Sequence, residues 1–274
     1  GAAVTTTRGP CPQCNRGPKD TALAITRDDR GTVSYCHRCG YTSAEQHDLA
    51  RSCSPRPQNR PNTLDDSPPL EWSLTAERIW RRTAALRGSI AAIYLQNRGC
   101  RLPPAESDLR FLAATDSFPP SLCGLVTDAK TGSKLTLHFT RLQPDGLNKA
   151  GTDCDKLLLK GHRKRGGVIR LWPDESVTTG LAIAEGIETA LCAAHVFTPV
   201  WAAIDASNLA GFPVLNGVEA LTVFADNDKA GIQAARDCMS RWRGAGRAVI
   251  TRVPKQPGQD VADIAAAIRA RRTA

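Results

Sequence analysis

Hydrophobic residues recur at helical spacing in the middle of the chain. Ser73 and Glu77 flank the start of LTAERIWRRTAAL, which is close to an N-terminal helix cap followed by an apolar stripe. A second helix is predicted over residues 89–96. Short apolar runs separated by Gly and charged clusters then predict strands. These runs are residues 135–139, 156–159 and 168–171.

The pattern changes after Gly180, where apolar runs and helical segments alternate. LAIA, VWAAI, LTVFA and AVITRV have strand composition, and helices are predicted over IETALCAAHV, over residues 230–243 and from Val261 onward. Strands that alternate with helices indicate a largely parallel sheet. We therefore predict an α/β fold class, as an α+β multidomain chain that ends in this α/β domain.

The N-terminal part of the chain has a different composition. Residues 9–42 are rich in Cys, Gly and polar residues, with β-like stretches at 22–25 and 32–35. RSCSPRPQNRPNTLDDSPP has the composition of a linker. The predicted organisation is a small metal-binding domain over 1–50, a flexible Pro/Ser-rich linker over 51–70, a mixed α+β subdomain over 71–175 and the α/β domain over 176–274.

Two C-x-x-C pairs occur in the N-terminal segment, Cys11 with Cys14 and Cys36 with Cys39. Four thiolates at this spacing can converge on one tetrahedral ion. A segment too small for an apolar core needs such a bound ion to stabilise its fold. We predict one structural Zn²⁺ per chain in a zinc ribbon. A redox pair is the alternative for either motif, and His37 is an alternative ligand.

The chain is basic, with 36 Lys and Arg against 27 acidic residues, a net charge of +9 and a pI near 9.2. A polyanionic partner is the first interpretation, and a basic surface that binds nothing is the alternative. No apolar run approaches the ~20 residues needed to cross a bilayer, and the N-terminus lacks the apolar core of a signal peptide. We expect a cytoplasmic protein without a membrane partner.

Acidic residues follow two of the apolar strands. Glu185 and Gly186 come directly after LAIA, and Asp226 and Asp228 come at the end of LTVFA. Carboxylates at the carboxyl ends of neighbouring parallel strands meet in the crevice where α/β folds bind ligands. The pattern predicts a site for Mg²⁺ or Mn²⁺, which prefer oxygen ligands. Alternatively, Asp-Asn-Asp is only a turn and the cap of the next helix.

These residues resemble a known family. E-G-x-E-T-A from Glu185, D-N-D-x-A-G from Asp226 and G-Q-D-V-A-D from Gly258 resemble the Toprim domain shared by DnaG-type primases, topoisomerases and some nucleases. IAAIYLQNRGC resembles the Y-L-x-x-R-G stretch that opens the polymerase core of DnaG-type primases. A zinc ribbon, this stretch and then Toprim is the order found in primases, and the chain most resembles the primases of phages, plasmids and integrated mobile elements.

The resemblance implies roles for individual residues. Glu185, Asp226 and Asp228 would be the catalytic, metal-binding acids, and Asp260 and Asp263 would serve a second metal or nucleotide position. Glu188 would support the site rather than bind metal. Basic residues would bind template phosphates and the incoming triphosphate, although HRKR at 162–165 could equally be a solvated loop. The basic candidates are Arg98, Lys156, Lys160, Arg163, Lys164, Arg165 and Lys229.

The function implied is that of a DNA primase, which makes short primers, RNA by the resemblance, on single-stranded DNA from nucleoside triphosphates. A replicative helicase, in trans or as a C-terminal extension, is a further candidate partner. A Toprim nuclease or a topoisomerase-like phosphodiesterase is the first alternative. An inactive zinc-ribbon adaptor that binds DNA is the second, and the intact acids argue against it.

Overall fold

A computed structural model describes residues 5–14, 17, 20–27, 31–36, 39, 41–46 and 72–254. The chain divides into two compact units, Gly1–Asp65 and Asp66–Ala274. The predicted linker and the predicted helix from Val261 lie outside the described residues. Among the helices that are described, none combines the length and the apolar character needed to cross a bilayer.

The first unit contains a four-stranded antiparallel sheet in which neighbours in sequence are neighbours in space. Its strands are β1 (Thr5–Gly9), β2 (Leu23–Arg27), β3 (Gly31–Cys36) and β4 (Thr42–Gln46). The two β-like stretches predicted from sequence are confirmed, since the first overlaps β2 from Leu23 onward and the second lies within β3. The buried apolar residues described here are Leu23 and two cysteines, Cys11 and Cys36. So small a core supplies little hydrophobic stabilisation.

The second unit contains the remaining elements. Its strands are β5 (Ala84–Ala85), β6 (Leu109–Leu112), β7 (Ser121–Asp128), β8 (Lys134–Arg141), β9 (Lys156–Leu158), β10 (Gly167–Arg170), β11 (Gly180–Ala184), β12 (Val200–Ala202), β13 (Ala220–Phe224) and β14 (Ala248–Arg252). Its helices are α1 (Leu74–Arg81), α2 (Ile90–Asn97), α3 (Ile187–Ala193), α4 (Ala206–Ala210) and α5 (Lys229–Gly244), with a 3₁₀ turn at Asp174–Ser176.

All ten strands described in the second unit form one mixed sheet. The main path runs β14-β13-β11-β12-β10-β7-β6-β5, and β8 lies on β7 with β9 on β8. The strands β14, β13, β11 and β12 are mutually parallel, whereas β10 pairs antiparallel with both β12 and β7. The predicted fold class is confirmed, with the parallel strands in the C-terminal part.

Polar caps begin the two helices predicted before residue 100. The Ser73 hydroxyl accepts a hydrogen bond from the Ala76 amide, and the Ser89 hydroxyl accepts one from the Ala92 amide. Helix α1 ends at Arg81 although its alanine-rich sequence continues. The reason is tertiary, because Ala84–Ala85 pair with β6 as strand β5.

Helix α5 covers one face of the parallel sheet. Trp242 is fully buried, and its ring stacks on Phe212 with centroids 5.8 Å apart and planes 6° apart. The pair packs in one apolar cluster with Leu221 and Val223 of β13. This packing secures the helix whose first residues adjoin the acidic strand ends.

We expect Trp242→Ala to lower the free energy of unfolding by about 3–5 kcal/mol, because the substitution leaves a cavity beneath α5. Trp242→Phe retains a ring against Phe212 and should cost clearly less. Urea unfolding followed by circular dichroism measures both variants. Equal losses in the two variants would show that the ring volume does not stabilise the sheet.

Candidate functional site

Three neighbouring parallel strands end at the same edge of the sheet. Ala184, the last residue of β11, pairs with Phe224 of β13 on one side and with Ala202 of β12 on the other. Glu185 therefore emerges beside the residues that follow β12 and β13. Since the chain passes from β11 to one side and then to the other, this edge is a topological switch point, where α/β sheets bind ligands.

The acidic side chains at this edge influence one another. The pKa of Glu185 is raised by its partial burial and then by the negative charges of Asp226, Asp228 and Asp205. Lys156 acts in the opposite direction. Carboxylates that repel one another in this way favour a bound cation, and their oxygen atoms suit Mg²⁺ or Mn²⁺. The three predicted acids thus lie at one edge of the sheet and interact electrostatically, although within the described residues only the four cysteines have ligand atoms that all lie within 4.8 Å of one another.

The Asp226-Asn227-Asp228 turn leads directly into the first residues of α5. Asp228 Oδ1 accepts a hydrogen bond of 2.7 Å from the Gly231 amide, so Asp228 is the N-cap of this helix. A β-carbon at Gly231 would lie 2.8 Å from the Asp226 carbonyl oxygen, which explains the glycine. The cap uses one carboxylate oxygen. Asp228 therefore does cap α5, as the alternative interpretation held, but the cap does not use its second carboxylate oxygen.

Sequence reasoning missed a fourth acid, Asp205, which follows β12. It caps α4 by accepting a 2.9 Å hydrogen bond from the Asn208 amide, and its other oxygen lies 2.8 Å from Lys164 Nζ. The preceding residue, Ile204, has a φ of 78°, a conformation that costs energy for a β-branched side chain. The available signal was the apolar run VWAAI directly before Asp205, the same pattern that identified Asp226.

Glu188 lies in the first turn of α3 and is the centre of a buried polar network. Its side chain is 8% exposed, and it accepts hydrogen bonds of 2.9 Å from both Tyr94 Oη and Lys156 Nζ. Lys149 Nζ lies 4.0 Å from the same carboxylate. Burial alone raises the pKa of Glu188, but the charge and hydrogen bond of Lys156 outweigh it and lower the pKa to about 2. The contacts agree with the supporting role predicted for Glu188.

The lysines of this network stand next to the acidic edge. A β-carbon built on Gly186 would lie 3.9 Å from Lys156 Nζ, which places that ammonium beside the turn that follows Glu185. Arg98, the C-cap of α2, is close enough to influence the pKa of Lys149. Sequence reasoning missed Lys149, because it lies in a loop without any motif.

The other basic candidates are distributed differently. Arg163 forms an ion pair of 2.9 Å with Asp128, and Lys164 pairs with Asp205 as described above. Lys160, Arg165 and Lys229 are exposed and form no ion pair among the described residues. The predicted acids Asp260 and Asp263 lie outside the described residues.

The four cysteines of the first unit converge. Their sulfur atoms all lie within 4.8 Å of one another, with 3.7 Å between Cys11 and Cys39 and between Cys14 and Cys36. Four sulfurs placed tetrahedrally at about 2.3 Å from zinc are themselves about 3.8 Å apart. The donor set and its spacing therefore fit Zn²⁺. His37, the alternative ligand, lies outside the described residues.

Family comparison agrees with the geometry at the strand ends. Residues 180–270 match the model of the Toprim domain, a stretch that contains Glu185, Asp205, Asp226 and Asp228. This part of the chain is therefore similar to Toprim domains. The resemblance found in the sequence is thereby confirmed. Residues 72–171 match a second model, described as a domain of unknown function (DUF7146). A search of curated proteins found no match.

Solved primase structures are distantly similar to the chain that carries this Toprim domain. A DNA primase domain from Pseudomonas aeruginosa has 14% identity and a TM-score of 0.38, over 69% of this chain and 60% of that one. The zinc-binding and RNA polymerase domains of Aquifex aeolicus primase have 15% and 0.45, over 72% and 58%. The RNA polymerase domain of Mycobacterium tuberculosis primase DnaG has 17% and 0.40, over 72% and 79%. The chain spans about three fifths of the first two.

We expect one tightly held zinc ion per chain, because four thiolates at this spacing form a closed tetrahedral shell. Cys36→Ser should lose the metal, whereas Cys123→Ser, which alters a buried cysteine of the other unit, should keep it. Elemental analysis of the purified variants measures both. Zinc retained at one equivalent by Cys36→Ser would contradict the assignment.

His138 should make stability depend on pH. Burial and then the charge of Lys156 lower its pKa to about 4, so the folded protein holds it neutral while the unfolded chain protonates it below about 6.5. The unfolded state therefore binds more protons between these values, and the free energy of unfolding should fall by up to about 3 kcal/mol as the pH drops from 6.5 to 4.

His138→Leu should remove that contribution. Asp108 has a pKa raised to about 6 by burial and acts in the opposite direction between about pH 4 and 6, so the difference between wild type and variant isolates His138. Urea unfolding across this pH range measures the two slopes. Identical slopes would mean that His138 titrates alike in both states.

Proposed function

We propose that the chain is a DNA primase, or the primase part of a larger replication protein, which joins nucleotides on a single-stranded DNA template. The observation that carries the proposal is the group of mutually repelling carboxylates, Glu185, Asp226 and Asp228, at the switch point of the Toprim domain. Such a group can hold the divalent cations that nucleotidyl transfer requires.

The cations beside these acids support joining rather than cutting. Lys149 and Lys156 lie beside the single carboxylate of Glu188, and Arg98 is close enough to influence Lys149, so the cluster retains a net positive charge next to the acidic edge. A triphosphate carries more negative charge than one phosphodiester and needs both cations and metal ions to neutralise it. This arrangement favours a nucleotidyltransferase over the nuclease alternative.

The proposed reaction is attack of the 3′-hydroxyl of one nucleotide on the α-phosphate of the next, with pyrophosphate leaving. Metal ions bound by the acids would lower the pKa of the attacking hydroxyl and stabilise the leaving group. Glu185, Asp226 and Asp228 would hold those ions, and Asp260 and Asp263 are proposed to serve a second position. Lys156 binds the phosphates, and Glu188 positions Lys156.

The remaining assignments belong to the same proposal. Template phosphates and nucleotides would be bound by the exposed cations Lys160, Arg165 and Lys229 and, through rearranged ion pairs, by Arg163 and Lys164. The cysteine-containing unit would hold Zn²⁺ and grip the template. A replicative helicase would be the partner in a cytoplasmic replication complex.

Removing the charge of a single acid should abolish primer synthesis while the protein stays folded. Glu185→Gln and Asp228→Asn retain the shape of the side chains, and Asn also caps a helix well. We expect each to reduce the rate about a hundredfold or more, since metal-assisted charge stabilisation contributes several kcal/mol. The assay follows labelled nucleoside triphosphates incorporated on single-stranded DNA with Mg²⁺.

A matched control is Asp237→Asn, which removes one exposed carboxylate on α5. It should leave the rate within about twofold of wild type, because an exposed charge away from the site contributes little. Near wild-type synthesis by Glu185→Gln would refute the assigned role. Wild-type protein that cuts DNA but never joins nucleotides would instead identify a nuclease.

A further inference from the structure

A cavity of about 300 Å³ lies beside α1, β8 and β9, away from the acidic edge. Aromatic and aliphatic side chains dominate its lining, among them Phe118, Phe139 and Leu157. The two phenylalanine rings meet edge to face with centroids 5.5 Å apart. Phe118 and Leu157 are only partly buried, so the cavity is open to solvent and apolar inside.

The cavity and the acidic site lie on opposite faces of the same strand. Successive side chains of a β-strand point to opposite faces. In β9, Lys156 reaches Glu188, whereas Leu157 lines the cavity. The same alternation in β8 sends His138 toward the Glu188 network and Phe139 into the cavity. The cavity is therefore a separate place on the domain formed by residues 72–171.

Guanidinium groups surround the opening. Arg82 lines it, and the Arg141 guanidinium lies 5.1 Å from the centre of the Phe118 ring. Within residues 72–254, neither of these arginines forms an ion pair with a carboxylate. Arg110 lies 4.4 Å from the Trp80 ring in the same apolar cluster. The rim is thus cationic, and its charges are available to an anionic partner.

We propose that this cavity takes one unpaired base of single-stranded DNA, with the base against Phe118 and its flanking phosphates against Arg82 and Arg141. Aromatic rings beside cations are the usual means of binding single strands, because every base has a π face and every nucleotide a phosphate. The cavity size falls at the lower end of the range for ligand sites. The inference rests on the proposed function, in which single-stranded DNA is the template.

The occupant is better matched by DNA than by a peptide. An acidic peptide with an apolar side chain would also satisfy the charges, but it would not need a flat aromatic wall. The chain carries a net charge of +9, which favours a polyanion with regularly spaced phosphates. A base in this cavity would hold the strand on the face opposite the acids and so fix its position relative to the catalytic edge.

The test compares two fluorescently labelled strands of equal length, oligothymidylate and an oligomer of abasic residues with the same phosphates. Phe118→Leu retains the apolar packing and removes the ring, and Phe197→Leu is the matched control away from the cavity. We expect Phe118→Leu to bind oligothymidylate about tenfold more weakly and to lose much of the preference over the abasic strand. Phe197→Leu should match wild type on both strands.

A second pair tests the rim. Arg82→Gln should weaken the binding of both strands and reduce the salt dependence of the affinity, because it removes a phosphate contact. Arg78→Gln, an exposed arginine of the same helix that does not line the cavity, should have a clearly smaller effect. Equal effects of the two substitutions would mean that only general charge is involved, and would overturn the proposed contact.

The outcomes separate this inference from the proposed function. Wild-type affinity and base preference in Phe118→Leu would overturn the base site, whatever the primer-synthesis assay shows. An acidic peptide that binds wild type but not Phe118→Leu, with DNA affinity unchanged, would also overturn it and assign the cavity to a protein partner. Loss of base preference in Phe118→Leu while wild type makes no primers would support the base site and refute the primase.

Discussion

Five parallel residue pairs between β11 and β13, from Gly180 with Ala220 to Ala184 with Phe224, determine where the acids of this protein stand. Because the two strands end level, Glu185 and Asp226 emerge at the same edge. Their charges repel, as the raised pKa of Glu185 indicates. The pairing and packing of the apolar strands must therefore offset this repulsion. A bound divalent cation would relieve that repulsion. Strand pairing thus places the charges that the proposed cation would neutralise.

A second long-range contact links the domain of residues 72–171 to the Toprim domain. Glu188 of α3 receives hydrogen bonds from Tyr94 of α2 and from Lys156 of β9. Breaking a buried pair of this kind by removing one partner is costly, because the remaining charge stays buried. Nearby, the thiols of Cys100 and Cys192 lie 3.6 Å apart, so the segment that follows α2 is also in direct contact with α3. Tyr94, the tyrosine of the Y-L-x-x-R-G stretch, thus has a structural role. Its hydroxyl donates to the Glu188 carboxylate, which in turn binds the Lys156 ammonium.

Because side chains alternate along β8 and β9, these strands have one face with charged groups and one face that is apolar. One face directs Lys156 and His138 toward the acidic edge, where charges are concentrated. The other face presents Phe139 and Leu157 to a cavity with arginines at its rim. In the proposed functions, a single pair of strands would therefore serve both the phosphate site and the binding of a nucleic-acid strand, with different side chains for each.

The sequence by itself determined the features that depend on neighbours along the chain. Helix caps at Ser73 and Ser89, the two cysteine pairs, and acids directly after apolar strands are all local patterns, and the structure has each of them. Only the tertiary structure decided what depends on distant partners. Strand β7 was missed because it is buried on both faces and lacks alternation, and β10 joins it to the parallel strands. An apolar run precedes Asp205 as one precedes Asp226, but only the pairing of β11 with β12 shows that Asp205 stands beside Glu185. Lys149 enters the site through loop packing that no local period encodes, since this contact joins residues far apart in the chain.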